Sequence, residues 1–229
     1  ANHTFAEDRH MIDRSSCRLC GTCVENCYAE ALSLVGRSMT AEEILHAVET
    51  DVPYYRESGG GVTFSGGESL LQPEFVAEAS VLCRARGIHV AIDTAGNVPW
   101  DVFARVPADL YLYDVKAASD LLHRALCGVG NTRILENLRR LTGEGRRVIV
   151  RVPVIPGKNT CELPQIAELL APLRVEKVEL LPYHKLGEGK RMSLGLDEPD
   201  AIIPPARSEM EEYVRLFSVH GLHAVHSLK

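Results

Sequence analysis

The sequence predicts an α/β chain: a parallel sheet or barrel with helices outside, preceded by a small cysteine-rich module. Two observations carry this. Short runs rich in β-branched residues alternate with segments of helical period, joined by short connections. Four of the seven cysteines are packed into residues 17–27, ahead of that alternation. The expected division is residues 1–37 for the module and 38–229 for the α/β domain.

The elements follow in order. Residues 1–16 carry no period and read as an irregular lead-in. Thr40-Ala-Glu-Glu43 is a capping box, after which Ala41, Ile44, Leu45 and Val48 repeat at helical spacing. Gly61–Phe64 reads as a strand. Pro73 opens a helix with Phe75, Val76, Ala79 and Leu82 on its inner face, and Gly87 ends it. Ile88–Ile92 and Leu110–Tyr113 are the next strands, followed by a short helix near 119–126. Thr132 is expected to cap a helix bearing Ile134, Leu135, Leu138 and Leu141. Val148–Val152 is a strand, Leu163, Ile166 and Leu170 mark a helix, and Val178–Leu181 is a strand. The Gly-, Pro- and charge-rich segment 187–206 reads as a surface loop. The last helix is expected from about Ser208 to His220, with a short strand near 223–226.

Cys17, Cys20, Cys23 and Cys27 are spaced C-x2-C-x2-C-x3-C, the bacterial ferredoxin spacing for a 4Fe-4S cluster. Thiolates suit iron in such clusters, and Gly21 lets backbone approach closely. A zinc site more often splits its ligands into two separated pairs. A disulfide framework suits a small secreted domain. Tyr28 stands where the ferredoxin run has proline. In two-cluster ferredoxins the fourth cysteine serves the other cluster, which leaves open whether Cys27 shares a cluster with its neighbours.

Composition narrows the classes. The chain is 45% hydrophobic and 24% charged, as expected of a folded globular protein. A net charge of -6 argues against general nucleic-acid binding. No apolar run is long enough for a membrane span, and no signal peptide is read. The thiols point to a reducing cytoplasm as the expected location.

Ligands of parallel α/β folds bind at the carboxyl ends of strands. Five successive predicted strands end in polar groups: Ser65-Gly66-Gly67-Glu68, Asp93-Thr94, Asp114-Val115-Lys116, Arg151, and Pro182-Tyr183-His184. Each alone has an ordinary explanation as a turn, cap or ion pair. Together they predict a shared rim for a polar ligand. Glu68 suits an ammonium, Lys116 and Arg151 suit a carboxylate, and Asp93 and Asp114 suit a cation or ribose hydroxyls. An amino acid bearing a nucleoside fits this mixture better than a bare phosphate.

These segments resemble the glycyl-radical enzyme activating enzymes, a branch of the radical SAM superfamily. The carriers are Gly59-Gly-Gly-Val-Thr-Phe-Ser-Gly-Gly-Glu68, Leu71-Gln72, Ile92-Asp-Thr94, Asp114-Val-Lys116, Arg151-Val-Pro-Val-Ile-Pro-Gly157 and Leu180-Leu-Pro-Tyr-His-Lys-Leu-Gly187. The resemblance implies a partial (β/α)6 barrel with S-adenosylmethionine (SAM) at its top. It implies that Gly66, Gly67 and Glu68 hold the methionyl amine. It places Asp114, Val115, Lys116, Arg151 and His184 near SAM, and Asp93, Thr94 and Asp114 at a monovalent cation. It implies a glycyl-radical enzyme as protein substrate and a flavodoxin or ferredoxin as reductant. Ser69 stands where proline is common, an expected mild change.

One motif is absent. The superfamily's catalytic C-x3-C-x2-C is not in this sequence, and Cys83, Cys127 and Cys161 are isolated. No catalytic cluster cysteine is therefore assigned. The run at 17–27 resembles the auxiliary-cluster insert of many activases. Family order places the missing motif upstream, so the expectation is a barrel lacking its first strand, with Ala1 downstream of the catalytic cysteines, and a chain inactive by itself. Two competing expectations stand beside this one. The first is a ferredoxin-like electron carrier without SAM chemistry; the second is another radical SAM enzyme acting on a small molecule.

Overall fold

The computed structural model describes residues 2–6, 9–185, 194 and 202–227. The chain divides into two compact units, Ala1–Met39 with His184–Ala201, and Thr40–Tyr183 with Ile202–Lys229. The predicted surface loop at 187–206 lies largely outside the described residues.

In the first unit, β1 (His3–Ala6) and β2 (Arg9–Ile12) pair antiparallel, from His3 opposite Ile12 to Ala6 opposite Arg9. This corrects the expectation of an irregular lead-in. Cross-strand partners make the ladder: His3 Nδ1 and His10 Nε2 share a hydrogen bond of 2.7 Å, and the His10 ring stacks on Phe5 with centroids 4.5 Å apart. Four-residue strands are too short for alternation to show in sequence. One helical turn, α1 (Thr22–Glu25), lies inside the cysteine run. No described side chain from Asn2 to Met39 is buried, so the described residues of this stretch form no apolar core of their own.

The second unit opens with α2 (Ala41–Glu49). Both reciprocal bonds of its capping box form, Glu43 N–H to Thr40 Oγ1 and Thr40 N–H to Glu43 Oε2. Next comes α3 (Val52–Ser58), a helix of seven residues with Pro53 in its first turn. Then strands and helices alternate: β3 (Gly61–Phe64), α4 (Pro73–Ala85), β4 (His89–Thr94), α5 (Trp100–Arg105) and β5 (Leu110–Asp114). The chain continues through α6 (Asp120–Cys127), α7 (Thr132–Gly143), β6 (Val148–Val154), α8 (Leu163–Leu170), β7 (Lys177–Pro182), α9 (Arg207–Val219) and β8 (Ala224–His226). No helix among the described residues is long and apolar enough to cross a membrane.

β3 to β8 form one sheet in chain order, and every pairing is parallel. The order never reverses. With crossovers of one hand, unreversed order puts the helices on one face of the sheet, as in a barrel; a doubly wound sheet reverses at its switch point. Burial agrees. Val90, Ile92, Tyr111, Tyr113, Val150, Val152, Val178 and Leu180 are buried in the core. The alternate positions Asp93, Leu112, Asp114, Arg151 and Glu179 are only half-buried. One face of the sheet is therefore apolar and covered, and the other carries charge.

One cap differs from expectation. Thr132 is the first residue of α7 rather than its cap, and Asn131 occupies the cap position without a capping bond. The Asn131 side chain is engaged elsewhere, donating to Ala117 O and Ala118 O.

Candidate active site at the strand ends

The turn after β3 presents Gly66 and Gly67 to solvent, with nothing within 4 Å of where a Cβ would lie on either. Gly66 has φ of +126°, a conformation that glycine alone adopts without strain. The backbone is thus open for a ligand to approach closely.

Glu68 leaves this turn and crosses to the end of β4. Its Oε2 accepts from Thr94 Oγ1 at 2.9 Å and Ala95 N–H at 3.0 Å, while Oε1 accepts from Leu70 N–H at 3.2 Å. Thr94 is buried and its hydroxyl also accepts from Gly96 N–H. Thr94 therefore orients Glu68 and shapes the following loop.

The charged groups on the next strands form one network. Arg151 on β6 donates through Nη2 to Asp93 Oδ1 at 2.5 Å, and through Nε and Nη2 to Asp114 Oδ1 at 3.2 and 3.1 Å. Asp93 also accepts from Ser65 Oγ at 2.8 Å, and Asp114 pairs with Lys116 Nζ at 3.0 Å. Register explains the convergence, since Asp114 lies directly opposite Arg151 across the β5–β6 ladder. Burial pushes the Arg151 guanidinium down, but Asp114 and Asp93 outweigh it and hold its pKa above the ordinary value. Two carboxylates thus face two cations. Arg151 and Lys116, expected to meet a ligand carboxylate, pair with Asp93 and Asp114 in this structure. Arg151 acts as a clamp between neighbouring strands.

Val115 contributes no side chain to the rim. It is buried, and its N–H donates to Arg151 O at 2.9 Å, which sets the register of its neighbours. His184 is exposed and falls in the other unit, so its assignment stays with the sequence expectation.

Cys17, Cys20, Cys23 and Cys27 are all free and none is buried. Gly21 takes a left-handed conformation between them. Hydrogen bonding with Thr22 holds the Cys20 thiol below its ordinary pKa, which favours the thiolate a metal needs. Among the described residues, no group of three or more His, Cys, Asp or Glu is gathered to hold a metal ion.

Sequence reasoning passed over several residues that build the rim. Ser65 was read only as part of a strand end, yet it anchors Asp93. Glu179 faces Arg151 in register and pairs with Lys177 at 2.7 Å; the signal was a charged residue at alternate positions of an apolar strand. Asn159, Asn131 and Glu162 tie down the backbone beyond Asp114.

Residues 17–170 match the Radical SAM superfamily, more than half of the chain. The chain belongs to the radical SAM superfamily. Among its radical SAM relatives is the isethionate sulfite-lyase activating enzyme of Oleidesulfovibrio alaskensis, 42% identical over 202 residues, which cover 84% of this chain and 64% of the relative. The pyruvate formate-lyase-activating enzyme of Clostridium pasteurianum is 38% identical over 189 residues, covering 79% of both. A crystal structure of a domain of pyruvate-formate lyase-activating enzyme from Bacteroides vulgatus superimposes with a TM-score of 0.61 at 30% identity, covering 74% of this chain and 99% of that one. The chain thus spans just under two thirds of the length of the first of these curated relatives. Radical SAM activating enzymes use a 4Fe-4S cluster and SAM. The rim fits SAM by the chemistry of its donors: an oriented carboxylate, an open glycine turn and a carboxylate pair at adjacent strand ends.

Proposed function

We propose that this chain is the SAM-binding part of an activating enzyme that installs a glycyl radical on a partner enzyme. The observation that carries the reading is the convergence of Glu68, Asp93, Asp114, Lys116 and Arg151 on adjoining strand ends beside an open glycine turn. In this reading Glu68, held by Thr94 and Ala95, accepts the methionyl ammonium next to the exposed Gly66–Gly67 backbone. Asp93 and Asp114, bridged and oriented by Arg151, bind a monovalent cation or the ribose hydroxyls. Lys116 sets the position of Asp114. The half-buried rim limits water around these charges, which strengthens each contact.

In a complete enzyme of this kind, a 4Fe-4S cluster would supply one-electron radical chemistry to SAM, which Glu68, Asp93 and Asp114 would hold. This chain's residues bind and orient; none is assigned as a general base. The run Cys17, Cys20, Cys23 and Cys27 holds an auxiliary 4Fe-4S cluster in a ferredoxin-like module. That no described side chain from Asn2 to Met39 is buried supports this, because small units without a core depend on a metal centre or another cross-link. A flavodoxin or ferredoxin is the reductant, a glycyl-radical enzyme the protein substrate, and the cytoplasm the location.

Two measurements test this. Equilibrium dialysis with SAM should show binding that Glu68→Ala weakens; no binding by the unsubstituted chain sinks the assignment. Anaerobic reconstitution with iron and sulfide should give one cluster, lost when Cys20 and Cys23 become serine. Chromatography of the reconstituted 229-residue chain with SAM and reductant should show no 5′-deoxyadenosine, because the sequence contains no C-x3-C-x2-C.

A further inference from the structure

The backbone that follows Asp114 leaves the sheet and has to hold Lys116 against it. Side chains from distant parts of the chain pin it residue by residue. Asn159 donates through Nδ2 to Lys116 O at 2.9 Å and to Pro153 O at 2.6 Å. Its Oδ1 accepts from Ile155 N–H at 2.9 Å. Asn131 donates to Ala117 O and Ala118 O at 3.0 and 3.1 Å. The Glu162 carboxylate accepts from Ala118 N–H at 2.8 Å, from Ser119 N–H at 2.9 Å and from the Ser119 hydroxyl. Burial raises the Glu162 pKa, but these bonds outweigh it and leave it below the ordinary value, so the group stays a carboxylate.

Asn159 is fully buried, and both of its amide hydrogens are used. Its two carbonyl acceptors belong to different strand ends, Lys116 beyond β5 and Pro153 on β6. A carboxamide is the only neutral side-chain group that donates twice and accepts at one planar end. The substitution Asn159→Asp would keep the bond from Ile155 but set a charge against two carbonyl oxygens.

We infer that Asn159 is a positioning residue of the SAM rim: it fixes the backbone at Lys116, and through Lys116 the orientation of Asp114. Asn131 and Glu162 extend the same brace to Ser119. The inference rests on the SAM reading of the rim, and the test separates the two.

The experiment measures SAM dissociation constants and thermal midpoints for Asn159→Ala, Lys116→Ala, their double variant and Leu138→Ala. Leu138 is a buried core residue on α7, so its truncation reports destabilisation alone. All four are assayed below their midpoints. Asn159→Ala should weaken SAM about fivefold or more, and Leu138→Ala should lower the midpoint with affinity changed less than about twofold. The double variant should bind as weakly as Lys116→Ala and no weaker, because Asn159 acts through Lys116. Normal affinity in Asn159→Ala, or additive losses in the double variant, overturns the inference while leaving the SAM site standing. Loss of affinity in Leu138→Ala equal to that in Asn159→Ala also overturns it. Absence of SAM binding by the unsubstituted chain overturns both.

Discussion

Replacing Arg151 by methionine removes the clamp that ties β6 to β5 and β4 and keeps most of the side-chain volume. Three N–H···O contacts to two carboxylates are lost, at 2.5, 3.1 and 3.2 Å. A hydrogen bond to a charged group contributes about 1.5–3 kcal/mol net. The Arg151 side chain is 20% exposed, so solvent screens part of this and the lower figure applies to each carboxylate. Asp93 keeps Ser65 and Asp114 keeps Lys116, so neither is orphaned. The expected loss is about 3 kcal/mol. With a urea dependence of about 2 kcal/mol per molar, the unfolding midpoint should fall by roughly 1.5 M. Circular dichroism during urea titration reads this directly. Asp93→Asn alone and with Arg151→Met completes a cycle whose coupling should be about 1–2 kcal/mol. A loss under about 0.5 kcal/mol for Arg151→Met, or a coupling near zero, would refute the clamp.

Other outcomes follow from the same geometry. Glu68→Gln places a donor amide among three N–H and O–H donors, so it should cost about 1–3 kcal/mol in urea titration and weaken SAM in dialysis. Gly96→Ala should lower the thermal midpoint markedly, since Gly96 has φ of +73° and a Cβ there runs into the Tyr113 ring; scanning calorimetry measures it. Burial pushes the Tyr113 hydroxyl far above its ordinary value of 10, and Glu68 adds to the shift. A raised folded pKa means the unfolded chain ionises first, so stability is whole below pH 10 and falls as pH rises beyond it. Tyr113→Phe should flatten that alkaline decline by up to about 1.4 kcal/mol per pH unit, while costing about 1 kcal/mol at neutral pH for the bond to Ile134 O.

Much of the sheet was legible because its signals are local. Thr40 and Glu43 announce α2, and both expected bonds form. The strands Val148–Val154 and Lys177–Pro182 extend the predicted runs by a residue or two at their ends. α3 and α5 were not legible: at seven and six residues they complete fewer than two turns, and Pro53 and Pro99 read as breakers rather than starters. The rim was half legible. Strand-end position gave Glu68, Asp93 and Asp114 as neighbours. It could not show that Arg151 would pair with carboxylates 58 and 37 residues away, since that depends on register across two ladders. Asn159 was silent because an asparagine after Pro156-Gly157 reads as an ordinary turn residue.

The ion pairs along the rim have an electrical corollary. Asp93 and Asp114 are offset by Arg151 and Lys116, while Glu68 meets only dipoles among the described residues. Among the described residues, Glu68 is thus a strand-end carboxylate with no cationic partner. In the proposed reading, a zwitterion that also carries a sulfonium has a surplus of one positive charge with which to offset Glu68. Its demethylated thioether lacks that surplus, so the two molecules differ at the rim by one unit of charge as well as one methyl group.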